Sequence, residues 1–200
     1  MLVRDHMSRE VVSISPQKTV EDVRQLFKRR RIRQVPVQDK DKLIGIITDR
    51  DVRSARSATA RVANVMTAKP FIISPDASVD EAARMMRTYK IGALPVVAEK
   101  RLEGILTASD VLDAFVELSG VGEPTYRIVL SGKKLSKQAE GRLRKIIDHN
   151  HGELKWLHHD GKHRPPETHL RVRVRRVDDV VTELEAAGFE LARVVSAKKR

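Results

Sequence analysis

Two short stretches carry the side chains best suited to chemistry: GIITDRDV at 45–52 and GILTASDV at 104–111. Each sets a threonine three residues before an aspartate, Thr48 with Asp51 and Thr107 with Asp110. An ionised carboxylate only accepts hydrogen bonds and has two oxygens. It can therefore take both hydroxyls of a cis diol, each charge-assisted bond contributing about 1.5–3 kcal/mol when buried. That preference selects ribose over deoxyribose. A threonine at a strand end, just before a helix N-terminus, sets its hydroxyl beside unpaired backbone donors that favour an anion. The same spacing is also a helix cap, in which hydroxyl and carboxylate satisfy the helix's own N–H groups and do nothing else.

The elements that must position these pairs occur twice. Positions 7–52 reappear at 66–111 with a constant offset of 59: Met7, Pro16, Val20, Pro36, Gly45 and Asp51 meet Met66, Pro75, Val79, Pro95, Gly104 and Asp110. A duplicated supersecondary unit buries a face against its copy that neither could bury alone. The pattern predicts, in each copy, a short strand (11–14; 71–73), a helix capped by Thr19 or Ser78 that runs to about Arg29 or Tyr89, an apolar run through a proline (34–38; 93–98), a strand (43–48; 102–107) and a closing helix from Asp49 or Ser109. Gly45 and Gly104 inside their strands leave room for another chain segment or a ligand.

Composition bounds the function. The 200 residues are 40% hydrophobic, enough for ordinary cores, and contain no cysteine, which excludes disulfides, thiolate metal sites and cysteine nucleophiles and leads to the expectation of a reducing cytoplasm. Neither a signal peptide nor an uncharged apolar run of 18 residues is expected from MLVRDHMSREVV or the rest of the chain, so no membrane partner is predicted. A formal net charge of +12 favours anionic partners. Ser119-Gly120-Val121-Gly122-Glu123-Pro124 reads as a linker, giving units 1–60, 61–120 and 121–200. Up to residue 120 there are 21 basic and 16 acidic residues, and beyond it 18 and 11, so the shorter part is the more basic at +7 against +5.

With the repeats and both Gly-x-x-Thr-x-x-Asp stretches in view, residues 1–118 resemble a tandem cystathionine-beta-synthase (CBS) domain pair, the Bateman module. The resemblance implies a pseudo-two-fold disc with two clefts for adenosine nucleotides (AMP, ADP or ATP), with S-adenosylmethionine as a further candidate, and commonly a homodimer. It places Asp51 and Asp110 on ribose hydroxyls, and Thr48 and Thr107 near phosphate. Adenine would need an apolar slot, for which the pattern offers Val12, Ile14, Ile72, Ile73, Val37 and Val96. The clefts are not equivalent: Lys28-Arg29-Arg30-Arg31-Ile32-Arg33-Gln34 stands where the second copy has Arg87-Thr88-Tyr89-Lys90-Ile91-Gly92-Ala93. In relatives, basic residues at the Arg33 position reach phosphate, so Arg33 is expected to favour a polyphosphate in one cleft, with Arg31 second. The plainer reading is a solvated helix end whose charges complement the helix dipole.

Residues 125–198 alternate as strand, helix, strand, strand, helix, strand. The predicted fold class is thus α/β (α+β), a tandem repeat disc followed by a ferredoxin-like βαββαβ domain. This part resembles an ACT domain, although Leu130-Ser131-Gly132-Lys133-Lys134 replaces the usual Asp-x-Pro-Gly turn. Period two sets Arg171, Arg173 and Arg175 on the face away from the helices, with Arg127, Lys155 and Arg193, as an anion or nucleic-acid face. The same alternation assigns Trp156 to the apolar side, and the lack of exposed aromatics weighs against nucleic acid. Six of the seven histidines lie here without a helical i, i+4 pair, and a solvated loop rather than a metal site is expected. No glycine-rich phosphate loop, nucleophile motif or paired acids occur, which points away from an enzyme. The expected role is that of a regulatory sensor without cofactor, acting on an effector protein; the alternatives are a dimerisation scaffold and a nucleic-acid-binding protein that uses the basic C-terminal sheet face.

Overall fold

The two repeats fold alike because their caps, turns and apolar positions are alike. The computed structural model describes residues 1–119 and 124–196. After a short helix α1 (Val3–His6), α2 spans Val20–Arg30. Thr19 caps it: its hydroxyl accepts the Asp22 N–H, and the Asp22 carboxylate accepts the Thr19 N–H at 2.8 Å. This reciprocal box holds the Asp22 carboxyl below its ordinary value of 3.8, because the Thr19 backbone bond stabilises the charged form. The helix ends where Arg31 turns left-handed, φ 55°. The hairpin β1 (Gln34–Asp39) and β2 (Lys42–Thr48) follows, and then α3 (Asp49–Ser54).

The second repeat runs through a 3₁₀ turn (Val62–Asn64), β3 (Thr67–Ala68), α4 (Val79–Tyr89), β4 (Ala93–Ala98), β5 (Arg101–Thr107) and α5 (Ala108–Ser119). Ser78 caps α4 by accepting the Glu81 N–H at 3.1 Å, and Lys90, 59 residues after Arg31, ends it at φ 54°. Val20, Val23 and Phe27 form the buried stripe of α2 against Val35, Val37 and Ile47. Ala82 and Met86 do the same in α4 against Leu94, Val96 and Leu106. The expected strands at 11–14 and 71–73 contract to one rung each, Ile14 bridging Val37 and Ile73 bridging Val96. Pro16 and Pro75, two residues on, lack the N–H that the next rung requires.

The repeats exchange their leading segments. β3 pairs with β2 of the first repeat, Gly45 opposite Ala68, while Ser8 bridges Ile105 of β5. A Cβ on Gly45 would stand 2.5 Å from Met66 Sδ, and one on Gly104 2.5 Å from Met7 Sδ. The space left by each glycine is therefore filled by the methionine that opens the other repeat.

The chain divides into two compact units, Met1–Ala114 and Phe115–Arg200. The division falls within α5, and positions 120–123 of the expected linker lie outside the described residues. The second unit contains β6 (Tyr126–Ser131), α6 (Lys137–His149), β7 (Glu153–Asp160), β8 (Glu167–Arg173), α7 (Val177–Ala186) and β9 (Leu191–Ser196). Its antiparallel sheet has the order β7-β8-β6-β9. Leu143 and Ile147 of α6 and Val180 and Leu184 of α7 pack on Ile128, Leu130, Leu170 and Val172, so one sheet face is covered by helices. The long loop expected through Pro165-Pro166 shortens to residues 161–166, because β7 continues through His158 and His159 and β8 starts at Glu167. Among the described residues no helix is long and apolar enough to cross a membrane.

Candidate functional site

The strand-to-helix junctions sit where the two repeats exchange segments, and this builds two clefts. The first, about 420 Å³, takes Thr48, Arg50 and Asp51 from repeat one and Phe71, Lys90 and Gly92 from repeat two. The second, about 620 Å³, takes Val12, Arg31 and Arg33 from repeat one and Ile105, Thr107 and Ser109 from repeat two. Arg31 and Lys90 hold equivalent places, as do Val12 and Phe71, in keeping with the offset of 59.

The Thr-x-x-Asp pair forms the helix cap and uses only part of the carboxylate. Asp51 Oδ2 accepts the Thr48 N–H at 2.8 Å and the Thr48 hydroxyl at 2.7 Å, and the hydroxyl accepts the Asp51 N–H at 3.4 Å. Thr107 and Asp110 repeat the three bonds at 2.7, 2.8 and 3.4 Å. The caps use Oδ2 alone. Among the described residues Oδ1 of either aspartate has no hydrogen bond, so one carboxylate oxygen on each remains available as an acceptor. Asp22 makes the same box with Thr19 yet lines neither cleft. The cap by itself does not mark a site; the cleft beside it does.

The apolar residues proposed for an adenine slot divide. Val12 lines the second cleft, whereas Ile14, Val37, Ile73 and Val96 are buried in the two repeat cores and contribute no cleft wall. The parallel rungs that bind Ile14 to Val37 and Ile73 to Val96 turn these four inward. Ile72 is exposed, but it lines neither cleft. The missed residue is Phe71, which lines the first cleft and stacks on Tyr89 with ring centroids 3.9 Å apart and planes at 16°. Both rings are about half exposed. The signal was in the sequence: Phe71 is the repeat equivalent of Val12, which was chosen.

The cations also fall differently from expectation. Arg33 lines both clefts rather than one, and so does its counterpart Gly92, because these residues lie at the divide where the repeats meet. The first cleft adds Arg50, Arg53 and Lys90; Arg53 is paired with Asp49 at 2.9 Å. The places of Asp49, Arg50 and Arg53 are taken in the second repeat by Ala108, Ser109 and Leu112. Asp110 is not part of the second cleft's wall, although Thr107 is. The first cleft thus combines a carboxylate, an aromatic ring and several cations, and the second does not.

In the second unit, Arg127, Arg171, Arg173 and Arg193 share the sheet face opposite the helices by their register. Arg175 lies beyond the end of β8, and Lys155 is the extra residue of a bulge in β7, bound to Glu153 at 3.1 Å. That bulge shifts the alternation by one position and overturns the expected place of Trp156: Leu154 and Leu157 pack on the core, while Trp156 pairs with Arg171 on the open face. The histidines are not all in a loop either. His158 and His159 belong to β7 and His169 to β8. His169 is 4% exposed; its Nδ1 lies 3.0 Å from Arg127 Nη2 and its Nε2 3.3 Å from Glu167. A guanidinium only donates, so Nδ1 accepts and Nε2–H donates to Glu167, which fixes a neutral imidazole. Burial, with the nearby Arg127 charge, holds His169 below its ordinary 6.5. Among the described residues no cluster of three His, Cys, Asp or Glu could hold a metal.

Family comparison addresses the two repeats. The model of the CBS domain matches residues 3–58 and 62–117. The CBS domain pair of protein MJ0100, solved in complex with 5′-methylthioadenosine and S-adenosyl-L-methionine, superposes with a TM-score of 0.56 at 28% identity, covering 58% of this chain and 97% of that one. CBSX2 in complex with AMP gives 0.55 at 25% identity, again over 58% and 97%. The inosine-5′-monophosphate dehydrogenase of Korarchaeum cryptofilum is 40% identical over 104 residues, 52% of this chain. That of Staphylococcus epidermidis is 30% identical over 192 residues, 88% of this chain. The chain spans only 22% and 39% of the length of these two enzymes.

Proposed function

Because this chain belongs to the CBS domain family, with two copies at 3–58 and 62–117, we propose that it is a regulatory sensor that binds an adenosine nucleotide in the cleft bearing Asp51. The observation that carries the proposal is the divided carboxylate of a cleft-lining residue: Asp51 Oδ2 is spent on the helix cap, and Oδ1, without a hydrogen bond among the described residues, is left to accept from a ribose hydroxyl. Phe71 offers an aromatic face for adenine. Arg33, Arg50 and Lys90, none of them paired with a carboxylate among the described residues, favour a ligand with more than one phosphate, ADP or ATP, over AMP or S-adenosylmethionine. Solved pairs bound to AMP and to S-adenosyl-L-methionine support adenosine ligands as a class.

We infer a ferredoxin-like domain in the second unit, a reading supported by its βαββαβ element order and the strand order β7-β8-β6-β9. We read it as an ACT-like relay that passes ligand state to an effector protein, in a cytoplasmic protein that is itself not an enzyme. Leu112, Phe115 and Leu118 of α5 are 59%, 53% and 59% exposed and recur every three residues. Such an apolar stripe supports a homodimer.

Calorimetric titration of AMP, ADP, ATP and S-adenosylmethionine into wild type, Asp51→Asn and Asp110→Asn tests the reading. Saturable binding that Asp51→Asn weakens and Asp110→Asn spares is the expected result. No heat and no thermal shift with any of the four would replace the sensor by a dimerisation scaffold.

A further inference from the structure

The bulge in β7 does more than move one side chain. Beyond Lys155, the residues Trp156, His158 and Asp160 all fall on the open sheet face, opposite Arg171, His169 and Glu167 of β8. The Trp156 and His158 rings stack with centroids 5.6 Å apart and planes at 16°; Trp156 is half-buried and His158 exposed. β6 adds Arg127, which stands opposite Arg171 in register.

The charges on this face sort into two kinds. Its carboxylates are already matched: Glu153 by Arg173 and Lys155, Glu167 by Arg193 at 3.0 Å, Asp160 by His163 at 3.1 Å. Arg127 and Arg171 instead meet neutral partners, His169 at 3.0 Å and the Thr125 hydroxyl at 3.4 Å. Two guanidinium charges with no carboxylate partner among the described residues therefore lie in a row across β8 and β6, beside a pair of stacked aromatic rings on β7. We propose that this face binds single-stranded nucleic acid, with bases stacking on Trp156 and His158 and backbone phosphates held by Arg171 and Arg127. An open sheet offers a surface to unstacked bases, which only a single strand presents, and ring stacking is tolerant of sequence. The inference is independent of the nucleotide clefts, which lie in the other unit.

Trp156 is the chain's single tryptophan, so its fluorescence reads this face directly. The full-length protein would be titrated with a twelve-nucleotide oligo(U), with a random-sequence duplex of equal length, with poly-glutamate and with ADP. The expected result is saturable quenching by the single strand alone. Its affinity should fall with salt at a log–log slope of about −1.4, for two phosphate contacts on a single strand. The double variant Arg127→Gln, Arg171→Gln should bind at least tenfold more weakly while its circular dichroism and ADP binding stay at wild-type values. With a labelled oligonucleotide read by anisotropy, Trp156→Phe should keep most of the affinity and Trp156→Ala should lose about tenfold. Absence of quenching by oligo(U), equal quenching by duplex or by poly-glutamate, or unchanged affinity in the double Gln variant would each overturn the proposal.

Discussion

Gln34 Nε2 donates a hydrogen bond of 3.2 Å to the carbonyl oxygen of Gly92, and this contact between the repeats marks the divide between the two clefts. Gly92 takes the place that Arg33 has in the first repeat. One guanidinium therefore serves two clefts, where strict two-fold symmetry would supply two.

A cation on the walls of both clefts should couple phosphorylated ligands held in them. Arg33→Ala should weaken ADP or ATP binding about tenfold, the lower end of a hydrogen bond to a charged group, and leave adenosine unchanged. In the wild type a second phosphorylated ligand should bind more weakly than the first, and the gap should close in the variant. Two-site calorimetry checks both, and an ADP affinity indifferent to Arg33→Ala would remove this residue from the site.

Asp51 and Asp22 make the same cap, but only Asp51 lines a cleft. Replacing either by Asn should lower thermal stability, whereas only Asp51→Asn should raise the Kd of ADP, by about tenfold. Discrimination between ADP and 2′-deoxy-ADP should be present in wild type and Asp22→Asn and absent in Asp51→Asn. Melting curves beside binding isotherms separate the cap from the diol.

Glycines at two positions should respond with opposite sign. Gly104→Ala drives a Cβ to 2.5 Å from Met7 Sδ and 3.0 Å from the Ser8 carbonyl, an overpacking that should cost about 1–3 kcal/mol. Gly141, exposed within α6, has open space around it, and Gly141→Ala should stabilise by about 0.5–1 kcal/mol. Thermal or urea unfolding reads both.

His169 should make the second unit sensitive to acid. Its folded-state pKa lies below 6.5, so the unfolded chain takes up the proton first. Stability from the neutral imidazole is complete above 6.5 and is lost as pH falls from 6.5 through the lower folded value. Protonation also sets an Nδ1–H against Arg127, breaking that contact. An NMR titration should show His169 protonating below 6.5, and His169→Gln should flatten the pH dependence of unfolding in this window.

The sequence by itself determined the duplication, the caps at Thr19 and Ser78, the paired Thr-x-x-Asp boxes and the order of elements in the second unit. These follow from local rules: a cap needs its acceptor at one position, a strand alternates, and a repeat keeps its offset. The tertiary structure decided what local rules do not contain. The segment that opens each repeat crosses to the other, and Phe71 and Asp51 came to line one cleft, while single parallel rungs drew Ile14, Val37, Ile73 and Val96 into the cores. Arg33 came to face both clefts because the repeats meet beside it. Trp156 moved to the open face because one extra residue in β7 reverses every later side chain, and a bulge is a property of two paired strands that neither shows alone.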